Sequence, residues 1–337
     1  MALKQFVAVM RPLIEEELRR TLDIHLSKSL PELYSMLAYH LGWEGEGAGV
    51  EVQGKRIRPL LVLLCAASAG GDWQCALPAA VAVELVHNFS LIHDDIQDRS
   101  ELRRGRPTVW VKWGLAQAIN AGDLMFSLAH LSILRLRESC AENSVIEAVQ
   151  LLQKACVHLT EGQYMDISYE SRREITLDEY WPMVAGKTAS LLATCTRLGA
   201  LAAGCEPDRQ EHFWEYGYSL GLAFQAWDDY LGVWGDPSVT GKSIESDLVS
   251  GKKTLPVVYG LAQRGKFARR WLEGPIRVDE VPQLAEWLKE EGAQEFTRAT
   301  AEGLTNQALK ALNQAISKGA AGDALHELTN VLLLRDN

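Results

Sequence analysis

Two short stretches of the chain crowd carboxylates in a way that invites chemistry. The first, HDDIQD, places Asp94, Asp95 and Asp98 within about one helical turn, with Arg99, Arg103, Arg104 and Arg106 following closely. On a helix Asp94 and Asp98 share a face, about 6 Å apart along the axis. Two such charges at ~4 Å repel by roughly 4 kcal/mol at an effective dielectric near 20. Open water relieves that repulsion, and so does a cation held between them. Oxygen-only ligands point to a hard ion, and magnesium commonly takes one or two carboxylates plus phosphate oxygens. A lone DDxxD reads more plainly as a solvated acidic face, but the apolar FSLIH before it means that these charges rise from a buried helix. By linear spacing the arginines stand slightly too far along to neutralise the acids pairwise.

A second cluster lies in FQAWDDYLGVWGDPSV. Gln225 precedes Asp228 and Asp229 by three and four positions, so it can point to the same side. Gly232 stands where a DDxxD pattern would put a third acid, and Asp236 falls outside the cluster. Glycine inside a helix costs about 1 kcal/mol relative to alanine, so Gly232 is expected to mark the helix end. Three basic segments accompany the acids. GKRIRP supplies Lys55, Arg56 and Arg58 before an apolar helix opening at Pro59. Arg103 and Arg104 follow the first acidic turn, and Lys242, Lys252 and Lys253 follow the second. Arginine forks and lysine point charges suit a diphosphate, and a helix start adds backbone N–H groups. Taken singly, each basic run is a solvated face. Together with the acids they are a set: carboxylates for metal ions, cations for phosphates, and a metal-bound diphosphate as the third party that both grip.

The elements that must position this set are helical. Apolar residues recur at threes and fours in AAVAVELVHNFSLIHDDIQD, LLQKACVHLTEGQYMDIS and HFWEYGYSLGLAFQAWDDYL. Strand-like alternation is nearly absent, so no sheet is required. Breakers fall at GWEGEGAGVEVQGKRIRP, RGRPT, GCEPD, WGDPSVTGKS and LEGPIRVDEVP, leaving roughly ten helices of ordinary length. A length of 337 residues alone suggests about two domains, but no linker supports a division. The expectation is one large all-α helical-bundle domain over residues 1–337.

Composition sets the outer limits. Apolar residues at 47% and charged residues at 23% provide a large core and oppose disorder. A net charge of −10 argues against binding nucleic acid through the overall field, while leaving room for a local anion site. The six cysteines form no CxxC pair and have no histidines at zinc spacing, so they read as reduced thiols of a cytoplasmic protein. The N-terminal apolar run is too short for a signal peptide, and PLLVLLCAASAGG is too short for a transmembrane segment.

Read in order, GKRIRP, HDDIQD with RRGRPTV, GKT at 186–188, and QAWDD with GDPSVTGKSIESDLVSGKKTLP resemble the trans-isoprenyl diphosphate synthases (polyprenyl synthetases) over residues 50–260. The resemblance implies an all-α fold with a deep central cavity, usually as a homodimer. It also implies magnesium-dependent, head-to-tail condensation of isopentenyl diphosphate with an allylic diphosphate (dimethylallyl, geranyl or farnesyl). By that resemblance Asp94, Asp98 and Asp228 ligate magnesium, with Asp95 and Asp229 in the same metal clusters. Arg103, Lys187, Lys242 and Lys252 are its contacts to the allylic diphosphate, and Lys55, Arg58, His87 and Arg104 hold isopentenyl diphosphate. Thr188 and Gln225 match positions facing the reacting carbons. The physics agrees: ionisation loads charge onto the leaving group, which preorganised cations stabilise, and the carbocation needs a dry pocket. The departing diphosphate takes the final proton, which leaves His93 as a structural histidine. This chain departs from the pattern at Gly232, at Gln53 and at Trp110.

Product length depends on what lies below the acidic rim. Phe89 precedes Asp94 by five residues, which places it about 7.5 Å deeper along a helix. Its ordinary role is core packing; in the resembled family a bulky residue there is a pocket floor. Ser90 beside it is small, and Met125 and Phe126 add bulk on the next helix. This pattern is similar to short-chain synthases that make geranylgeranyl diphosphate, with farnesyl and longer products behind. A class I terpene cyclase would carry a different second metal motif and no isopentenyl cradle. A non-catalytic partner subunit should have lost acids or cradle cations.

Overall fold

The computed structural model describes residues 2–26, 29–235 and 245–333. They are almost entirely helical, as the sequence periodicity requires, and fall into two compact units. One unit comprises Met1–Gln153, Cys195–Gln210 and Ile316–Leu325; the other comprises Lys154–Thr194, Glu211–Ala315 and His326–Asn337.

The first unit is built around the Leu77–Gln97 helix, which packs chiefly against Leu115–Leu134 and Ile57–Ala69. Residues 78–86 of this helix are all buried, because apart from Glu84, which accepts from Arg56, the segment is apolar on every face. The stretch Trp73–Gln97 is long and apolar enough to cross a membrane by length and composition, yet 72% of its apolar window is buried inside the fold. Ile57–Ala69 opens two residues before Pro59 and ends at Gly70, whose φ of 96° and N–H bonds to Ala66 and Ala67 close the last turn.

Just ahead of that helix sits a buried charge. Arg56 is 2% exposed and adopts a left-handed φ of 50°. Its Nε donates to Glu15 at 2.7 Å, its Nη1 to Glu84 at 2.7 Å, and its Nη2 to the Leu41 carbonyl at 3.0 Å. A buried guanidinium is tolerable only when paired in this way. The pairing fixes the turn that carries Lys55 and Arg58.

The small element that periodicity did not signal is a hairpin. Leu102–Arg103 pairs antiparallel with Arg106–Pro107, and Arg104 and Gly105 form the connection with φ of 53° and 74°. Two left-handed residues in a row are the connection that matches the natural twist of paired strands.

In the second unit, one core gathers Tyr180, Val184, Ala226, Leu255 and Val258, and another gathers Val233, Leu248, Val257, Phe267 and Leu284. Leu177–Val184 opens with a capping box: Thr176 accepts the Glu179 N–H while the Glu179 side chain accepts the Thr176 N–H. That helix runs into a π-helical turn, Ala185–Ala189. Gly232 lies inside the Pro207–Trp234 helix and does not end it. The region after Leu255 holds short helices such as Lys266–Glu273 and Val281–Glu290, raising the number above the ten expected.

Candidate active site

In the first unit, the Leu77–Gln97 helix delivers the acidic turn at its C-terminal end. Asp98 is the C-cap, and its N–H donates to the Asp94 carbonyl at 2.8 Å, so the two keep the four-residue relation of a shared face. Asp95 points the other way and is 2% exposed. Its two oxygens accept from Arg103 Nε, each at 2.9 Å, and Arg103 Nη2 lies 2.8 Å from Oδ1. This corrects the expectation that the arginines stand too far along to pair with the acids. Eight positions of linear spacing conceal the return made by the hairpin. Burial raises the Asp95 pKa, opposed by Arg103. Asp95 is thus held by a forked cation, and Asp94 and Asp98 are the acids presented on the outer face.

A cluster of cations adjoins it. Burial, then the charges of Arg58, Arg104 and Arg103, holds the His87 imidazole well below its ordinary value, so it is neutral at pH 7. Burial and Arg56 likewise lower the pKa of Arg104, whose Nη1 donates to the Val52 carbonyl at 2.7 Å. Arg58 keeps a buried Nε without a partner among the described residues, and Lys55 is exposed. Several cations concentrated around a neutral histidine form a ready receptor for a polyanionic headgroup. Of the expected cradle, Arg58, His87 and Arg104 therefore share one electrostatic neighbourhood, with Arg103 beside them.

The second unit contains a cavity of about 230 Å³ lined by Lys187, Thr188, Gln225, Asp228, Asp229 and Lys252, all expected site residues. The π-helical turn presents Lys187 and Thr188, and single-turn π segments inside helices frequently occur at functional sites. Two glycines permit its close packing: a Cβ on Gly162 would lie 2.2 Å from the Lys187 backbone nitrogen, and one on Gly186 would lie 2.5 Å from the His158 carbonyl. Lys187 forms an ion pair with Asp166.

From Thr188 a chain of hydrogen bonds runs inward. Thr188 Oγ1 donates to Gln225 Oε1 at 3.1 Å, and Gln225 Nε2 donates to Asp229 Oδ1 at 2.8 Å. Asp229 Oδ2 also accepts from the Tyr180 hydroxyl at 2.6 Å and from the Leu255 N–H at 2.7 Å. With 4% exposure and three protein donors, Asp229 is fully engaged. Burial outweighs those donors and pushes its pKa up to about 6. Of the five carboxylates expected at metal ions, Asp95 is gripped by Arg103 and Asp229 by its three donors, and Asp228 lines the cavity. Lys253 reaches the Glu170 carbonyl at 3.1 Å. Lys242 and Asp236 lie outside the described residues.

Among the described residues no three His, Cys, Asp or Glu side chains converge into a closed metal cage. Carboxylates beside clustered lysines and arginines instead fit magnesium, which commonly keeps several waters and takes phosphate oxygens of a bound substrate for the rest of its shell. Asp166, Tyr180 and Asp247 also line the cavity and were not anticipated. Asp166 and Tyr180 sit in ordinary amphipathic helix sequence with no local signal. Asp247 precedes Lys252 by five residues, and only that neighbourhood could have marked it.

Below the first acidic turn, Phe89 meets Phe126 edge to face at 5.2 Å, and Phe126 packs on His130 at 4.4 Å. Ser90 turns its hydroxyl back to the His87 carbonyl at 2.8 Å, and Met125 is fully buried. His93 leans edge-on against Phe89 with its Nε2 3.4 Å from the Ile119 carbonyl.

The sequence profile described as polyprenyl synthetase matches residues 48–288. The chain is 44% identical over 289 residues to a (2E,6E)-farnesyl diphosphate synthase of Mycobacterium tuberculosis, covering 83% of this chain and 79% of that protein. It is also 44% identical over 238 residues to a geranylgeranyl diphosphate synthase of the same organism, covering 70% and 67%. Among solved structures, a polyprenyl synthetase from Streptomyces coelicolor superposes with a TM-score of 0.85 at 36% identity, covering 98% of each chain.

Proposed function

The chain belongs to the polyprenyl synthetase family and is a prenyltransferase, and from that premise we propose that it makes geranylgeranyl diphosphate by adding isopentenyl diphosphate to an allylic diphosphate. Dimethylallyl, geranyl and farnesyl diphosphates are the primers of this reading, which treats the whole chain as one cytoplasmic catalytic domain. The observation that carries it is the pairing of acidic turns with cation clusters inside each unit. Asp94 and Asp98 in the first unit, and Asp228 in the second, are the carboxylates that would hold magnesium, which would supply charge stabilisation to a diphosphate leaving group. Asp95 and Asp229 are instead fixed by protein partners, the first by Arg103 and the second by Tyr180, Gln225 and the Leu255 N–H.

Lys187 and Lys252 of the second unit, with Lys242, bind the allylic diphosphate. Lys55, Arg58, His87 and Arg104 bind isopentenyl diphosphate, with neutral His87 serving as a hydrogen-bonding group amid the arginines. The allylic C–O bond breaks, the isopentenyl double bond supplies the electrons of the new C–C bond, and the released proton passes to the departing diphosphate. Thr188 and Gln225, tied by their hydrogen bond, line the path of the cation.

The twenty-carbon product is supported by the aromatic stack of Phe89, Phe126 and His130 beside a small Ser90. A fifteen-carbon product is the second reading, favoured by the likeness to a farnesyl diphosphate synthase over the longer share of the chain. Homodimerisation is supported by exposed apolar side chains at both ends of Leu115–Leu134, where Leu115 is 54% exposed and Leu134 45%. Sizing the dephosphorylated products from each primer tests the proposal. A dominant twenty-carbon alcohol is expected, and a reaction that stops at fifteen carbons from the two shorter primers and leaves farnesyl diphosphate unextended would replace it by the second reading.

A further inference from the structure

His40 ends the Pro31–His40 helix in the first unit, and no step of the reaction proposed above uses it. Its Nε2 is buried and has no hydrogen-bond partner among the described residues. His40 lines a small cavity together with Asp95, Arg103, Arg104 and Arg106. The one carboxylate there is already gripped by Arg103, so the cavity keeps an excess of positive charge. Burial, then the charges of Arg103, Arg104, Arg56 and Arg106, holds the imidazole down to about 3, so it is neutral at pH 7. Leaving such a polar atom unmatched in the interior is costly, and a bound acceptor relieves it. The cavity is about 20 Å³, room for one water-sized group and too little for a whole phosphate. We infer that His40 is a further contact to isopentenyl diphosphate, its Nε2–H donating to one phosphoryl oxygen seated in this cavity beside Arg104. Phosphoryl oxygens only accept, so the tautomer with its proton on Nε2 is the one that binds.

The ring is placed there by its neighbour. Tyr39 donates its hydroxyl to the Pro107 carbonyl at 2.8 Å, and the Arg106 guanidinium lies 3.9 Å over the Tyr39 ring. Arg106 donates in turn to the carbonyls of Tyr39 at 3.3 Å and Glu44 at 2.6 Å. A Cβ on Gly45 would fall 2.7 Å from the Tyr39 ring and 2.8 Å from Arg106 Nη2, so the glycine leaves room for this stack. These contacts bolt the end of the helix to the hairpin that carries Arg103 and Arg104. His40 is also among the groups that lower the His87 pKa, so two neutral imidazoles border one arginine cluster. This role rests on the reading of that cluster as the isopentenyl diphosphate site.

The test is the equilibrium binding of isopentenyl diphosphate to the full chain, measured by titration calorimetry without primer or magnesium. His40→Leu keeps much of the ring's bulk and removes the donor. It should weaken binding by about 10-fold or more, the scale of one hydrogen bond to a charged group. His40→Gln offers an N–H in place of the ring's and should stay within about 3-fold of the parent. The KM for the allylic primer should be unmoved in both variants, because the contact is made to the other substrate. Parental affinity in His40→Leu, or equal losses in the Leu and Gln variants, would overturn the inference while leaving the reading of the site intact. No binding of isopentenyl diphosphate by the parent protein would instead overturn that reading, and the inference with it.

Discussion

The aspartates of the two clusters have neighbours of very different kinds, and their substitutions should separate accordingly. Asp229 carries three protein hydrogen bonds, and Asp228 beside it lines the cavity. Asp228→Asn is expected to raise the magnesium concentration needed for half-maximal rate by 10-fold or more on the scale of a lost ligand. Asp229→Asn should leave that requirement unmoved and lower stability by about 1–3 kcal/mol in urea, since one of its donors loses its acceptor. Equal shifts in magnesium dependence for both would contradict this division. Phe89→Ala removes the first ring of an aromatic stack, so its products should extend beyond those of the parent when chain lengths are compared; unchanged lengths would place the floor elsewhere.

The elements were legible in the sequence where their physics is local. Apolar residues at threes and fours disclosed the Leu77–Gln97 helix, and with it the shared face of Asp94 and Asp98. The hairpin was not legible, because Arg104 takes a left-handed φ usually left to glycine or asparagine, and four residues of strand give no alternation to read. Its return is what brings Arg103 onto Asp95. Tyr180 and Asp166 were equally hidden, since their partners, Asp229 and Lys187, lie 49 and 21 positions away.

The π-helical turn was hidden too, although the GKT motif it carries was not. Its packing makes a sharp prediction: Gly162→Ala should cost about 1–3 kcal/mol through overpacking against the Lys187 backbone, measured by urea unfolding. The capping box ahead of that turn is pH-sensitive. Arg172, then the Thr176 N–H, holds Glu179 down to about 2, below its ordinary 4.5. Its contribution is therefore present above about pH 4.5 and is lost as pH falls through about 2. The thermal midpoint of Glu179→Gln should lie below that of the parent near neutrality, and the gap should close over that acid window.

At the scale of the whole molecule, the net charge of −10 coexists with a concentrated cluster of arginines around His87. Substrate capture through that cluster should weaken as salt rises, because screening acts on the approach of a diphosphate. The exposed apolar side chains at the two ends of Leu115–Leu134 belong to the same scale. Sedimentation should report twice the chain mass, and Leu131→Glu, at a position 42% exposed, should shift the protein toward monomer.

The most direct test of the account is a stoichiometric condensation assay. Purified protein is given labelled isopentenyl diphosphate with each allylic primer, with and without magnesium, and both labelled prenyl product and free diphosphate are counted. Magnesium-dependent incorporation is expected, with one diphosphate released for every isopentenyl unit added. No incorporation with any primer, or diphosphate released from the primer while isopentenyl diphosphate goes unused, would contradict it.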